Sequence, residues 1–369
     1  MLSALAADRA RIAELDAQIQ DLERSLAAFR HEKSVAQKRL DSYKFPVLTL
    51  PNEIISEIFV HFLPTYPSCP PLCGSLSPSR LTQICRRWRE IALATPALWR
   101  AVSLSKGSFF LRGDPKHIWL ARSGSLPLSI HMDEYADGNV DGGLDLLAAA
   151  LLHHARVEYL KLRFINSSPD TIDGGMPLLH HLDLELDYDL QKALIIRDAP
   201  FLRSAVLDVI ATTNVVLPWT QLTQLTLRAI SVDHCVPILQ KTTNLVHCEL
   251  ELFERVESDP LPDITLPNLE SLCCNGWRDD RPMTDTLGIF IVPALRSLEV
   301  TEEFLQPSPI DALKSFVSKS GCKLHKVCIN GERSVGKIAY RTTFPSIQLL
   351  FNGPYVSGEE DEQEADGES

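Results

Sequence analysis

The sequence predicts an α/β protein: a long N-terminal helix and a small helical module lead into an irregular solenoid with a parallel sheet. Three observations predict it. A heptad pattern runs from residue 8 to residue 43. Two amphipathic runs rich in Ile, Leu, Phe and Trp fall between Leu50 and Trp99. From Val157 onward a Leu-x-x-Leu-x-Leu motif returns, eight copies in all. The boundaries follow: a heptad helix at 1–45, the helical module at 46–100, the repeat domain at 101–356 and an acidic tail at 357–369.

The heptad helix comes first. Ile12, Ile19 and Leu26 occupy one seam position, and Leu15, Leu22 and Phe29 occupy the other. Asp8 and Lys33 also fall on the seam, and no Pro or Gly interrupts Met1 to Phe45. Ile at a with Leu at d favours a parallel two-stranded coil. Three good heptads are marginal alone, so the helix needs a partner. That partner is a second copy, giving a homodimer through residues 8–43, or another protein, or the body of this chain. Phe45-Pro46 ends the helix, because the residue before proline leaves the helical region.

In the module, Pro51 opens a run in which Ile54, Ile55, Ile58, Phe59 and Phe62 recur at helical spacing. Asn52, Glu53, Ser56 and Glu57 take the other side. Ser79 can cap a second run, where Leu81, Ile84, Cys85, Trp88 and Ile91 form one stripe against Arg86, Arg87, Arg89 and Glu90. Thr95-Pro96 ends it, and Ala97-Leu98-Trp99 closes the module. A unit this small buries a modest fraction of its surface, so part of the apolar area is expected to cover another protein. Pro64 to Pro78 is rich in proline, which forbids helix or central strand there.

Leu50-Pro51 with an acidic residue at 53, the pair Ile58-Phe59, Ile84-Cys85-x-x-Trp88-Arg89 and Pro96-x-Leu98-Trp99 together resemble an F-box. The resemblance implies a three-helix fold that docks on the Skp adaptor, and through it on the cullin, of SCF-type ubiquitin ligases. Carried onto this sequence, the adaptor-binding residues are Leu50, Pro51, Ile54, Ile55, Ile58, Phe59, Leu81, Ile84, Cys85, Trp88, Leu98 and Trp99. The gap from Pro64 to Pro78 is longer than in a compact F-box. More loosely, the whole chain is similar to fungal F-box proteins with a leucine-rich C-terminal part, in which that part selects the substrate.

The repeats begin at Val157, Leu179, Leu202, Leu222, Leu245, Leu269, Leu295 and Leu324, in steps of 20 to 29 residues. That range fits leucine-rich repeats. Val102–Leu104 and Leu128–Ile130 read as earlier strands. Prolines at 177, 200, 218, 267 and 293 can turn the chain into each strand. Residues 236–241 and 310–318 read as helices, which gives a parallel sheet with helices on the other side. Asp187, Phe253 and Trp277 stand where regular repeats carry Asn, so no asparagine ladder is expected.

By the period of two, the leucines point inward. The outward set is Lys161, Arg163, Asp183, Glu185, Val206, Asp208, Thr226, Arg228, Glu249, Glu251, Cys273, Asn275, Glu299, Thr301, Cys328 and Asn330. Its middle is acidic, at Asp183, Glu185, Asp208, Glu249, Glu251 and Glu299, broken by Arg228 alone. Clustered like charge favours a complementary partner, so a protein target with a basic segment is expected there.

Other chemistry is argued against. Net charge is −12, which disfavours broad nucleic-acid binding through phosphates. No stretch has membrane-spanning length, and the apolar start Met1–Ala7 is too short for a signal peptide. Nine cysteines without framework spacing fit a reducing compartment, cytoplasm or nucleus. Asp137-x-Asn139-x-Asp141-Gly142 imitates a calcium loop, but Ala148 stands where the bidentate Glu belongs. His153-His154 and His180-His181 diverge on helix or strand and make no shared ligand site. Asn166-Ser167-Ser168 is a glycosylation sequon by pattern only. No phosphate loop, nucleophile elbow or HExxH helix is present, so neither catalysis nor a cofactor is expected. The tail carries seven acids and no base, the composition of a disordered segment. Three roles remain: an F-box substrate receptor, a leucine-rich scaffold acting without a ligase, or an enzyme whose motif the sequence does not show.

Overall fold

The computed structural model describes residues 2–43, 46–105, 115–133, 152–164, 175–186, 194–196, 198–253, 261–276 and 286–354. The Asp137–Asp141 loop, the Asn166 sequon, Asp187, Trp277 and the acidic tail lie outside them. The chain divides into two units, Met1–Ile58 and Phe59–Ser369.

The first unit is dominated by helix α1, Leu2–Ser42, unbroken over 41 residues. Seam residues Ile12, Leu15, Ile19, Leu22, Leu26 and Phe29 are exposed. A short 3-10 turn, Pro46–Thr49, precedes α2, Asn52–Phe62. Pro51 stands just before α2, where a missing N–H costs nothing. Its carbonyl accepts the Ile55 N–H at 3.1 Å.

The second unit opens with the last turn of α2 and continues with α3, Pro78–Ile84, and α4, Arg86–Leu93. The single helix expected across this stretch is broken at Cys85, which is extended at φ −154°, ψ 169°. The Cys85 thiol accepts the Trp88 N–H at 3.4 Å and so caps α4. Ser77 rather than Ser79 caps α3, its hydroxyl accepting the Ser79 N–H at 3.2 Å. The break rotates Ile84 off the common stripe, so Ile84 is exposed while Leu81 and Ile91 are buried. A 3-10 turn, Pro96–Trp99, leads into the sheet.

Among the described residues eleven strands form that sheet, in the order of the chain. They are β1 Ala101–Ser105, β2 Leu128–Asp133, β3 Val157–Phe164, β4 His181–Leu186, β5 Ser204–Asp208 and β6 Gln224–Ser231, followed by β7 His247–Phe253, β8 Ser271–Gly276, β9 Ser297–Thr301, β10 Lys326–Asn330 and β11 Gln348–Asn352. Every pair is parallel. The connections hold α5 Pro115–Arg122, α6 Val209–Asn214, α7 Val232–Leu239, α8 Pro309–Ser320 and α9 Lys337–Thr343. Two further short parallel pairs, Leu194–Ile195 with Val215–Val216 and Ile264–Thr265 with Phe290–Ile291, link successive connections.

Register explains why the motif folds this way. One inward row runs Leu160, Leu182, Ala205, Leu225, Cys248, Leu272, Leu298, Val327 and Leu349. The next runs Leu162, Leu184, Leu207, Leu227, Leu250, Cys274, Val300, Ile329 and Phe351. The leading leucines at 179, 202, 222, 245, 269 and 295 are wholly buried. In β6 a bulge with Ala229 at φ 48° shifts the register against β7. It lets both Leu227 and Ile230 face inward, where strict alternation would have exposed Ile230.

The helix expected at 236–241 begins earlier, at Val232, and that expected at 310–318 spans Pro309–Ser320. Gly321, at φ 63°, ends the latter in the left-handed conformation, its N–H on the Val317 carbonyl at 3.0 Å. The far edge of the sheet is tied by a polar cluster. Buried Glu302 accepts the Tyr340 hydroxyl at 2.8 Å and the Ser334 hydroxyl at 2.9 Å. The Arg333 guanidinium lies 4.9 Å from the Phe351 ring centre. Gly353, at φ 143°, passes so close to the Gly331 carbonyl that a Cβ would collide with it. Among the described residues no helix is long and apolar enough to cross a membrane.

Leu250 is wholly buried in the middle of the inward ladder. Leu250→Ala should therefore destabilise the Phe59–Ser369 unit by about 2–5 kcal/mol. Phe201→Ala, on an exposed side chain, should cost far less. Chemical denaturation of both variants checks the contrast.

Candidate functional site

The helical module offers one candidate surface. Along α2 the apolar residues divide between two faces. Ile55 and Phe59 are buried, while Ile54, Ile58 and Phe62 are 48%, 46% and 38% exposed. Their spacing of four stacks the exposed three into one stripe. Pro51 is exposed and Leu50 is half-buried. Trp88 is half-buried against Phe59, ring centres 4.8 Å apart, and its buried indole Nε1 has no hydrogen-bond partner among the described residues.

The residues named from the motif divide between the core and the surface. Ile55, Phe59, Leu81, Leu98 and Trp99 are buried, so they hold the fold and do not present a surface. Trp99 donates its indole N–H to the Ala92 carbonyl at 2.9 Å and meets Trp119 edge-on at 5.0 Å. Cys85 spends its thiol on a helix cap. Pro51, Ile54, Ile58 and Ile84 remain outward. Phe62 was absent from the motif set, although its place eight residues after Ile54 is a signal for it.

The proline-rich loop is bound to the sheet. The Tyr66 hydroxyl donates to the Glu158 carboxylate at 2.7 Å. The Arg100 guanidinium lies 3.4 Å from the Tyr66 ring centre and pairs with Glu158 at 3.5 Å. Ser129 donates its hydroxyl to the Pro67 carbonyl at 2.6 Å. Burial pushes the Tyr66 phenol well above its ordinary range, so it stays a neutral donor.

The outer face of the sheet is the second candidate. Its expected acidic middle is neutralised in part, and by more cations than Arg228. Asp183, 4% exposed, meets Lys161 at 2.7 Å and Arg228 at 3.7 Å. Arg163 grips Glu185 with two nitrogens, at 2.8 and 2.7 Å, and reaches Asp133 at 3.7 Å. Asp208 is spent on backbone: it accepts the Leu186 N–H at 2.8 Å and caps α6 through the Ala211 N–H at 2.6 Å. These pairs form because register sets Lys161 beside Asp183 and Arg163 beside Glu185.

Glu249, Glu251 and Glu299 differ. Among the described residues none of the three takes part in an ion pair. Glu249 accepts the Thr226 hydroxyl at 3.3 Å, and Glu299 accepts the Asn330 amide at 2.8 Å. Asn352 in turn donates to Asn330 at 3.1 Å. Burial raises the Glu251 carboxyl above its ordinary range; Arg228 opposes this, and Glu249 and Glu185 add to it. Burial also pushes the neighbouring Cys273 thiol up to about 12, so it remains protonated. Cys273 lies between Glu249 and Glu299 in register.

Residues 47–105 match the F-box-like family. The match covers that segment alone and shows an F-box-like domain there. No curated protein matches the chain.

The Glu251 shift has a signed consequence. A carboxyl whose folded pKa lies above its unfolded value adds stability that is complete below the unfolded pKa and is lost as pH rises through the folded one. Glu251→Gln should remove that loss. The variant should show a smaller fall in stability than the parent from about pH 4 upward, read by denaturation across pH.

Proposed function

We propose that the chain is the substrate receptor of an SCF-type ubiquitin ligase, docking on the Skp adaptor, and thereby on the cullin, and presenting a protein target from its repeat domain. The observation that carries this reading is the stripe Ile54, Ile58 and Phe62, three large apolar side chains turned outward on α2 within the F-box-like segment. A small helical unit that exposes such a row gains by covering it with another protein. On this reading the chain is not itself an enzyme, and it works in the cytoplasm or nucleus, where ubiquitin ligases act.

The parallel sheet in chain order, with its repeating Leu-x-x-Leu-x-Leu core, supports reading the C-terminal part as an irregular leucine-rich-repeat solenoid. The target would meet its outer face with a basic segment. That contact centres on Glu249, Glu251 and Glu299, the carboxylates without ion pairs among the described residues. A second reading is a repeat scaffold that uses the F-box fold as a cap and assembles no ligase. The burial of Leu98 and Trp99 at the start of the sheet favours it.

Adaptor binding separates the two. Ile54→Asp with Ile58→Asp should abolish binding of purified adaptor, a loss of about 2–4 kcal/mol or more, with helix content and thermal midpoint kept. Trp88→Ala should lower both binding and stability, since its ring supports Phe59. Full-strength adaptor binding by the folded double variant would overturn the receptor reading. For the target face, binding of a Lys/Arg-rich peptide should weaken as salt rises and fall on Glu249→Lys with Glu251→Lys, with adaptor binding unchanged. Peptide binding that ignores both salt and these substitutions would remove the sheet face from the proposal.

A further inference from the structure

Helix α1 presents an apolar row to solvent. Leu5, Ile12, Leu15, Ile19, Leu22, Leu26, Phe29 and Leu40 are all exposed, and all lie at seam positions of the heptad. Two charged residues, Asp8 and Lys33, share that seam. What covers the row is decided by where those two charges fall.

We propose that α1 pairs with α1 of a second copy, and that the two helices run antiparallel. In an antiparallel coil each a residue faces a d residue of the other helix. One register sets Ile19 against Leu22, Leu15 against Leu26 and Ile12 against Phe29 of the second copy. The same register sets Asp8 directly against Lys33, once at each end of the apolar stretch. Opposite charges then meet at the edges of a desolvated seam, where they strengthen each other.

The competing arrangements fail on the same two residues. A parallel coil, which the Ile and Leu placement favours on shape alone, sets Asp8 on Asp8 and Lys33 on Lys33. Sliding the antiparallel pair by one heptad sets Asp8 against Leu26 in one direction, or against Leu40 in the other. Either slip leaves a charge facing only apolar side chains. The rim is mixed. Arg11 comes opposite Glu32, but Asp16 comes opposite Glu23 and Arg9 opposite Arg30. Rim charges stay in water and are screened, so the seam decides orientation. At 1.5 Å per residue the overlap from Leu5 to Ala36 is about 48 Å long, well beyond the length at which a lone helix is marginal.

The test is charge exchange in the full chain, with self-association measured by sedimentation equilibrium. The parent chain should dimerise. Asp8→Lys and Lys33→Asp should each raise the dimer Kd by about tenfold or more, because each puts like charges face to face. Asp8→Lys combined with Lys33→Asp should bring the Kd back to within about threefold of the parent, since the pair is restored with its signs reversed. In a parallel dimer each single change merely replaces one like pair by another, and no rescue pattern appears. Circular dichroism checks that the helix persists in every variant. A monomeric parent, singly changed chains that dimerise like the parent, or a double variant as weak as the singles would each overturn the proposal. Adaptor binding, measured on the same samples, reports separately on the receptor reading.

Discussion

Trp99 is the residue on which the C-terminal unit turns. It ends the helical module, where its indole is bonded to the carbonyl of Ala92 on α4. It also stands three residues before the first inward side chain, Val102, the sequence spacing that the leading leucine keeps in the later repeats. Trp119 from the first connection closes against it, and the Arg122 guanidinium lies 4.6 Å from its ring centre. One aromatic ring thus serves as the last core residue of the helices and the first core residue of the sheet. The second half of the module, α3 and α4, cannot move independently of β1 while that ring stays buried.

The loop from Leu63 to Ser77 adds a second tie on the other side. Arg100 lies over the Tyr66 ring, Tyr159 meets that ring edge-on, and the Tyr66 hydroxyl bonds to Glu158 on β3. The extra length of this loop is therefore used to reach past β1 and β2 to β3. The opposite edge of the sheet is closed by different means, a buried carboxylate holding Tyr340 and Ser334. Terminal units of a stacked array have one neighbour instead of two, so each end needs contacts that the interior does not.

The strands were legible because leucine spacing reports inward positions directly, and all eight motif copies became neighbouring strands. β11 carries no such signal because Ser346 stands three residues before its first inward residue, Leu349, and β1 carries none because Trp99 stands there; in β2 a register shift puts Leu128 opposite Val157, which breaks the spacing. The break at Cys85 left no trace, since the apolar stripe runs through it at helical spacing and a thiol is an uncommon cap. For the adaptor surface, helical periodicity found the apolar residues but not the division of α2 into two faces, which depends on what packs beneath Ile55 and Phe59. For the sheet face, alternation along each strand sets which side chains share a face. It does not show the ion pairs, because Lys161 meets Asp183 and Arg163 meets Glu185 only through pairing between strands.

The sheet's strand order has a consequence for how the protein is made. Each strand lies beside the one synthesised just before it, and all point the same way. A nascent chain emerging from the ribosome therefore always finds its template already folded. No strand has to wait for a distant segment, so the loop-closure entropy of each addition is that of one short connection. The hydrophobic rows are covered as quickly as they appear, starting from Trp99, and the growing edge is a single strand that the next repeat occupies. The topology lets folding follow translation in direction, with β11 the last of the described strands to be added.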